Sequence, residues 1–342
     1  MNTMKVAVYY NNHDVRIETR PIPTINDNEL LVKVKASGIC GSDVMEWYRI
    51  KKAPRILGHE IAGDIIQVGA NVKTYKAGDR VFVSHHVPCN TCDYCLQGHH
   101  TLCHTLHTTN FDPGGFAEYL RVPAINVDRG VFKLPDTMTY DEGVFIEPFA
   151  CVIRGLHTAD FKAGQRVLIL GSGISGLLFI KLANAWGAKQ ILATDITDFR
   201  LKSATKAGAQ TVINAKDDVP AAVTKATDGH LADIAVICTG APPAVQQALK
   251  SVRPGGTVLL FAPTEPGVQI PCDLFDIWNK QLRIVSTYAG SPRDIAEAVS
   301  LLASHQVHID DLITHRLPLT EAAKGFDLVA KAQDSIKVIL EP

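Results

Sequence analysis

Four cysteines, Cys89, Cys92, Cys95 and Cys103, fall within 15 residues of one another. Four thiolates at such spacing can close a tetrahedral zinc shell, leaving no coordination position for a substrate. The residues between them are polar and turn-rich, unlike a core strand that buries cysteines as small hydrophobes. An iron-sulfur cluster is the other group such a set could hold, zinc being the commoner occupant. A second set is dispersed: Cys40 in Gly38-Ile-Cys-Gly-Ser-Asp, then His59 and Glu60 in Gly58-His-Glu-Ile-Ala-Gly. Thiolate, imidazole and carboxylate together could hold a catalytic zinc with one position left open. Asp43, three residues after Cys40, is a natural acceptor for His59 and would fix its tautomer. Read singly, a lone cysteine is buried and a His-Glu pair lies in a solvated loop, so the argument rests on the combination.

A third pattern is Gly171-Ser172-Gly173-Ile174-Ser175-Gly176. In this spacing the first glycine makes a tight turn, the second lets backbone approach a pyrophosphate, and the third allows close helix-strand packing. The pattern follows an apolar run, Arg166-Val-Leu-Ile-Leu, and opens a helical one, whose N-terminal amides favour an anion. Asp195 ends the next apolar run, 19 residues past Gly176. A carboxylate there can accept from ribose hydroxyls and repel a 2'-phosphate, so the cofactor expected is NAD, not NADP. The plainer alternative is a glycine-rich turn with a capping Asp.

These residues need elements to position them. To about Asn126 the chain reads as short β-strands, among them Val6-Ala-Val-Tyr-Tyr, Glu29 to Ala36, Ile61 to Gly69 and Asp79 to Val83. Beyond residue 150 strands and helices alternate: strands at 166–170, 190–195, 211–213, 234–238, 257–261 and 282–286, with helices at 175–186 and 199–207. That alternation predicts a parallel, doubly wound sheet. After Tyr288 one helix and a mixed tail are expected, the tail packing back on the β part. At 342 residues the chain suits about two domains. With 34 Lys plus Arg against 35 Asp plus Glu, no nucleic-acid groove is expected. Val167 to Ile180, broken by glycines and serines, falls short of a membrane span. The start, Met1 to Tyr10, shows no signal peptide, so eight cysteines point to a reducing, cytoplasmic setting.

The combination of Cys40, Gly58-His59-Glu60 with Gly63, the four-cysteine lobe, Gly114-Gly-Phe-Ala-Glu-Tyr119, and the glycine fingerprint with Asp195 resembles the zinc-dependent medium-chain alcohol and polyol dehydrogenases. The resemblance covers essentially the whole chain, in order. It implies an α/β protein: a GroES-like β-barrel catalytic domain over 1–149 and 289–342, with both zinc sites, and a Rossmann NAD-binding domain over 150–288, the active site lying between them. It further implies two zinc ions per chain and a homodimer or homotetramer, with the strand near Arg283 to Thr287 pairing across a twofold axis.

Within that family the sequence is similar to the sorbitol and threonine dehydrogenase branch. There Glu147, in Phe145-Ile-Glu-Pro-Phe, stands where classical members carry a third, cysteine ligand. The resemblance implies that Cys40, His59 and Glu60 hold the catalytic zinc, that Glu147 reaches it directly or through water, that Arg200 contacts the cofactor, and that Ser42 takes the alcohol proton. Two departures stand out: Met45 occupies the place of a relay histidine, and no Arg-Tyr pair appears around Thr287-Tyr-Ala.

The chemistry expected is removal of hydride from a small secondary alcohol or polyol to NAD, zinc favouring the alkoxide. L-Threonine or another hydroxy acid is an alternative substrate, and a non-catalytic NAD-binding protein of the same fold an alternative function. A zinc-free quinone reductase fits neither metal set. Cys151, Cys238 and Cys272 read as packing residues. His85, His86, His99 and His100 are given no role, and Phe111, Phe145 and Phe149 suit either a pocket wall or the core.

Overall fold

The ten-residue strand Leu30–Ile39 organises the first half of the protein. Apolar residues on both of its faces allow burial on both, and it pairs antiparallel with Glu60–Val68 on one edge. Its other edge takes Tyr119–Val122 near the start and Lys337–Glu341 near the end. Gly38 is thereby placed between Glu60 and Ile339. The sheet extends through Arg80–Val83 to Val131–Lys133 on one side and through Ile313–Pro318 on the other, seven strands in all. Thr3–Asn11, Asp14–Pro21 and Arg55–Ile56 form a separate three-stranded sheet. Leu30, Val32, Val34, Ile61, Ile65, Val81, Val83, Leu120 and Val122 share one core with Phe111. Each such side chain contributes about 1.5–3 kcal/mol by leaving water.

The structure is a computed structural model and describes residues 2–342. Met1, where the first domain is expected to begin, lies outside them. One compact unit comprises the chain up to Ala150 together with Gly290–Pro342, the other Cys151–Ala289. The chain passes from one to the other within the helix Tyr140–Thr158.

The tail corrects one expectation: it holds two helices, Pro292–Ala303 and Ala322–Lys331. The first has a reciprocal cap, Ser291 Oγ accepting from the Asp294 amide while the Asp294 carboxylate accepts from the Ser291 amide. The second runs unbroken through Gly325, a poor helix former, and is stabilised by its apolar stripe. Phe326 is fully buried against Tyr9 and Phe116. The final strand does pack on the β part, through Leu30–Ile39.

In the second unit six strands form one parallel sheet. Numbered by their order in the chain, they lie 3-2-1-4-5-6 across it: Thr211–Asn214, Gln190–Asp195, Arg166–Leu170, Ala232–Ile237, Val252–Leu260, Arg283–Ser286. This is the doubly wound order in which the first strand leads into a phosphate-binding turn. Ala232–Ile237 is buried along its whole length, as a strand covered on both faces must be. No helix of the described residues is long and apolar enough to cross a membrane.

Candidate active site and metal centres

The four sulfurs of Cys89, Cys92, Cys95 and Cys103 lie within 4.8 Å of one another. Three of their separations are 3.6 Å (Cys92 to Cys95 and Cys103 to Cys89) and 4.0 Å (Cys89 to Cys95). A tetrahedron with zinc-sulfur bonds of 2.3 Å has edges of about 3.8 Å. These distances exclude disulfides, which need about 2.05 Å, and all eight cysteines are unbridged. Amides of Thr91 and Cys92 donate to Cys89 Sγ at 3.4 and 3.3 Å, and the Cys89 amide donates to Cys103 Sγ at 3.3 Å. The Thr91 amide above all pulls the Cys89 thiol down to about 5. Burial and the neighbouring sulfurs push Cys95 up to about 12. Without a cation the four cannot all ionise; a divalent ion removes that conflict. The residues present therefore fit a closed zinc site.

Cys40, His59 and Glu60 likewise bring one donor atom each within 4.8 Å of the others. Cys40 precedes the single turn Gly41–Val44 and caps it: its Sγ accepts from the Ser42 amide at 3.4 Å, while its own amide donates to Asp43 Oδ2 at 3.1 Å. Glu60 begins the neighbouring strand Glu60–Val68, and His59 immediately precedes it. Asp43 is fully buried, and its Oδ1 lies 3.5 Å from His59 Nδ1. Burial disfavours a charged imidazole, but the Asp43 carboxylate and the Cys40 sulfur outweigh it and hold His59 well above the usual histidine range. Those are the surroundings of a ring that meets a cation in place of a proton.

Glu60 gives the sharper test of fit. Its Oε2 is paired with Lys337, while its buried Oε1 has no hydrogen-bond partner among the described residues. An unmet carboxylate oxygen costs on the order of 1–3 kcal/mol or more, and a metal ion beside Cys40 and His59 would relieve that. Gly38 is required here, because a Cβ at that position would overlap the Glu60 carboxylate.

Glu147 lies half-buried in the helix Tyr140–Thr158, immediately before the internal Pro148. It does not belong to the group of three donors that lie within 4.8 Å of one another. Ser42 stands in the turn after Cys40, its Oγ accepting from Arg49 Nη2 at 2.9 Å.

In the nucleotide-binding unit the helix Ile174–Ala185 begins at Gly173 with no side-chain cap, so its first amides, including those of Ile174 and Ser175, are left for an anion. Gly176 is buried, and a Cβ there would overlap the carbonyl oxygen of Gly171. Asp195 ends its strand and is tied to the glycine turn: Oδ2 accepts from the Ser172 amide at 2.9 Å, Oδ1 from the Ile196 amide at 2.8 Å. Arg200, on the following helix, sits 4.0 Å from Asp195 Oδ2 and is the side chain nearest Gly173. The cradle fits a dinucleotide.

Three residues of this site escaped the sequence reading. Lys337 is a lone lysine in the apolar run Ile336–Leu340, which was a signal, but its partner is 277 residues away. Arg49 follows Ser42 at a distance that no local pattern marks. His85, given no role, packs between His59 and His86, its ring tilted against both at centroid distances of 5.0 and 3.8 Å; burial holds it well below the usual histidine range, so it is neutral beside His59. Among the cysteines set aside, Cys238 is half-buried and its thiol is pushed up by burial, whereas Cys272 is exposed and is not a packing residue. Phe111, Phe145 and Phe149 are core residues, each at most 2% exposed.

A β-rich unit carrying two candidate zinc sites and, in the same chain, a doubly wound unit with a dinucleotide cradle define a zinc-dependent dehydrogenase. Residues 26–136 match the alcohol dehydrogenase GroES-like domain, and residues 175–304 the zinc-binding dehydrogenase domain. Sorbitol dehydrogenase of Gallus gallus is 34% identical over 98% of this chain and 95% of that protein. L-Threonine 3-dehydrogenase of Bacillus licheniformis is 36% identical over 95% and 94%. The crystal structure of 2R,3R-butanediol dehydrogenase from Bacillus subtilis superposes with a TM-score of 0.86 at 29% identity, covering 99% of both chains. The chain belongs to the zinc-dependent medium-chain alcohol and polyol dehydrogenase family.

Proposed function

We propose that this protein is an NAD-linked, zinc-dependent dehydrogenase that interconverts a secondary alcohol or polyol and its ketone. The observation that carries the reading is the buried, unpartnered Glu60 Oε1 beside Cys40 and His59. A protein without chemistry at this place would gain stability from an apolar residue there, which speaks against a purely structural or nucleotide-storing role.

Cys40, His59 and Glu60 hold the catalytic ion, and Cys89, Cys92, Cys95 and Cys103 a structural one. When bound, zinc would supply a Lewis acid that favours the alkoxide form of an alcohol, and NAD would supply the hydride acceptor. Asp43 orients His59 through Nδ1. Lys337 restrains Glu60 through one oxygen and leaves the other available. The Ser42 hydroxyl would accept the proton of the alcohol while passing its own outward to solvent. Glu147 acts through a water, in keeping with its place outside the group of close donors.

NAD is preferred to NADP because Asp195 places a negative charge beside the ribose position. The protein assembles through Arg283–Ser286, an edge strand of the parallel sheet. The helix before it, Leu274–Asn279, turns Leu274, Phe275 and Trp278 outward, and apolar surface beside an open edge favours a second copy. Eight cysteines, four of them at ligand spacing, favour a reducing, cytoplasmic setting. Zinc analysis with a panel of secondary alcohols, polyols and L-threonine, read by NADH absorbance, tests the assignment. Absence of NAD-linked turnover on every member in zinc-replete protein would reject it.

A further inference from the structure

Arg49 ends the short helix Glu46–Arg49, and its side chain is 16% exposed. Its guanidinium faces back onto the turn that carries Cys40. Nε donates to the Ser42 carbonyl oxygen at 2.8 Å, and Nη2 donates to Ser42 Oγ at 2.9 Å and to Asp43 Oδ1 at 3.3 Å. Asp43 Oδ1 is the same atom that lies 3.5 Å from His59 Nδ1. One planar group therefore touches both the hydroxyl that handles the alcohol proton and the carboxylate that orients a zinc ligand.

We propose that Arg49 is a positioning residue for the reaction, fixing Ser42 and Asp43 together through a single guanidinium fork. This rests on the proposed function and assigns it a residue that the family motifs do not mark. A hydroxyl has one donor and two acceptor positions, and a guanidinium has donors only. Arg49 fills one acceptor position of Ser42, so the Ser42 hydrogen must point elsewhere and the remaining lone pair is aimed away from Arg49. Rotation about the Ser42 Cα–Cβ bond is restricted in the same way. Arginine stays protonated in proteins, so it holds the hydroxyl without receiving a proton from it. The Met45 side chain, at the place of the relay histidine, has neither a donor to hold the hydroxyl nor a base to take up its proton. A lysine would not substitute, because one ammonium lacks the planar fork that spans the carbonyl, the hydroxyl and the carboxylate.

The test uses the zinc-loaded full chain with Arg49→Ala and Arg49→Lys, each assayed with and without added guanidinium chloride and against ammonium chloride at equal ionic strength. Release of zinc from the Cys40 site to a chelator is followed in parallel. Arg49→Ala is expected to lower kcat by about ten- to a hundredfold and to speed zinc release by a similar factor, the range for groups that orient a metal ligand. The KM for NAD should stay within about twofold of the parent. Guanidinium, and not ammonium, should restore part of the lost rate, which a merely structural defect would not allow. Parental kcat in Arg49→Ala, or a loss that guanidinium leaves untouched, overturns the proposal. If Arg49→Ala does not fold, Arg49→Lys carries the test: reduced kcat supports the fork and parental kcat overturns it. If the parent oxidises no alcohol, the proposed function fails, and zinc release still decides for or against Arg49.

Discussion

Glu60 and Lys337, 277 residues apart, form an ion pair with side chains 1% and 0% exposed. The pair ties the last strand to the strand that starts at a candidate zinc ligand. Lys337 Nζ also lies 3.5 Å from the Ile39 carbonyl oxygen and 5.7 Å from the centre of the Phe145 ring. A buried lysine so placed is tolerated only because a carboxylate neutralises it.

Lys337→Met should therefore lower stability by about 3–5 kcal/mol, the cost of breaking a buried pair on one side. Glu60→Leu combined with Lys337→Met should recover much of that loss while removing zinc from the Cys40 site. Denaturant unfolding of both variants with metal analysis measures this; equal instability of single and double variants would count against the pair.

The two metal sites should separate in their effects. Cys92→Ser should lose one zinc and unfold at lower temperature, since metal binding at a closed site is also folding free energy. His59→Ala should lose the other zinc and all turnover while keeping most of its stability. Zinc content, thermal unfolding and NADH production, measured together, would show otherwise if either variant lost both properties.

Asp195 should decide the cofactor. NADP would bring a phosphate dianion toward a carboxylate that is held in place by the Ser172 and Ile196 amides, turning a hydrogen bond into repulsion. Asp195→Ala should raise kcat/KM for NADP relative to NAD by at least about tenfold, because it also releases Arg200 for the phosphate. Parental protein that uses NADP as well as NAD would refute the assignment.

Glu147→Gln should lower kcat by about ten- to a thousandfold, the range of general acid-base contributions, with the KM for NAD nearly unchanged. An unchanged rate with full zinc content would return Glu147 to a structural role in its helix.

Much of this protein was written in local spacing. The cysteine lobe, the glycine fingerprint and Asp195 each act through neighbours within about one supersecondary unit, so chemistry and spacing coincide in the sequence. The parallel sheet was equally legible, because strands covered on both faces must be continuously apolar. Cys40, His59 and Glu60 were readable only as a combination, since two strands bring them together.

What the tertiary structure alone decided is which charges meet in the interior. Lys337 in an apolar strand, Arg49 behind Ser42 and His85 against His59 look locally like an exception, a surface cation and a loop residue. Their partners come from antiparallel pairing between distant segments and from a turn capped by Cys40. Electrostatic pairing in a buried place depends on distance in space and on the exclusion of water, and neither is encoded in the order of residues along one strand.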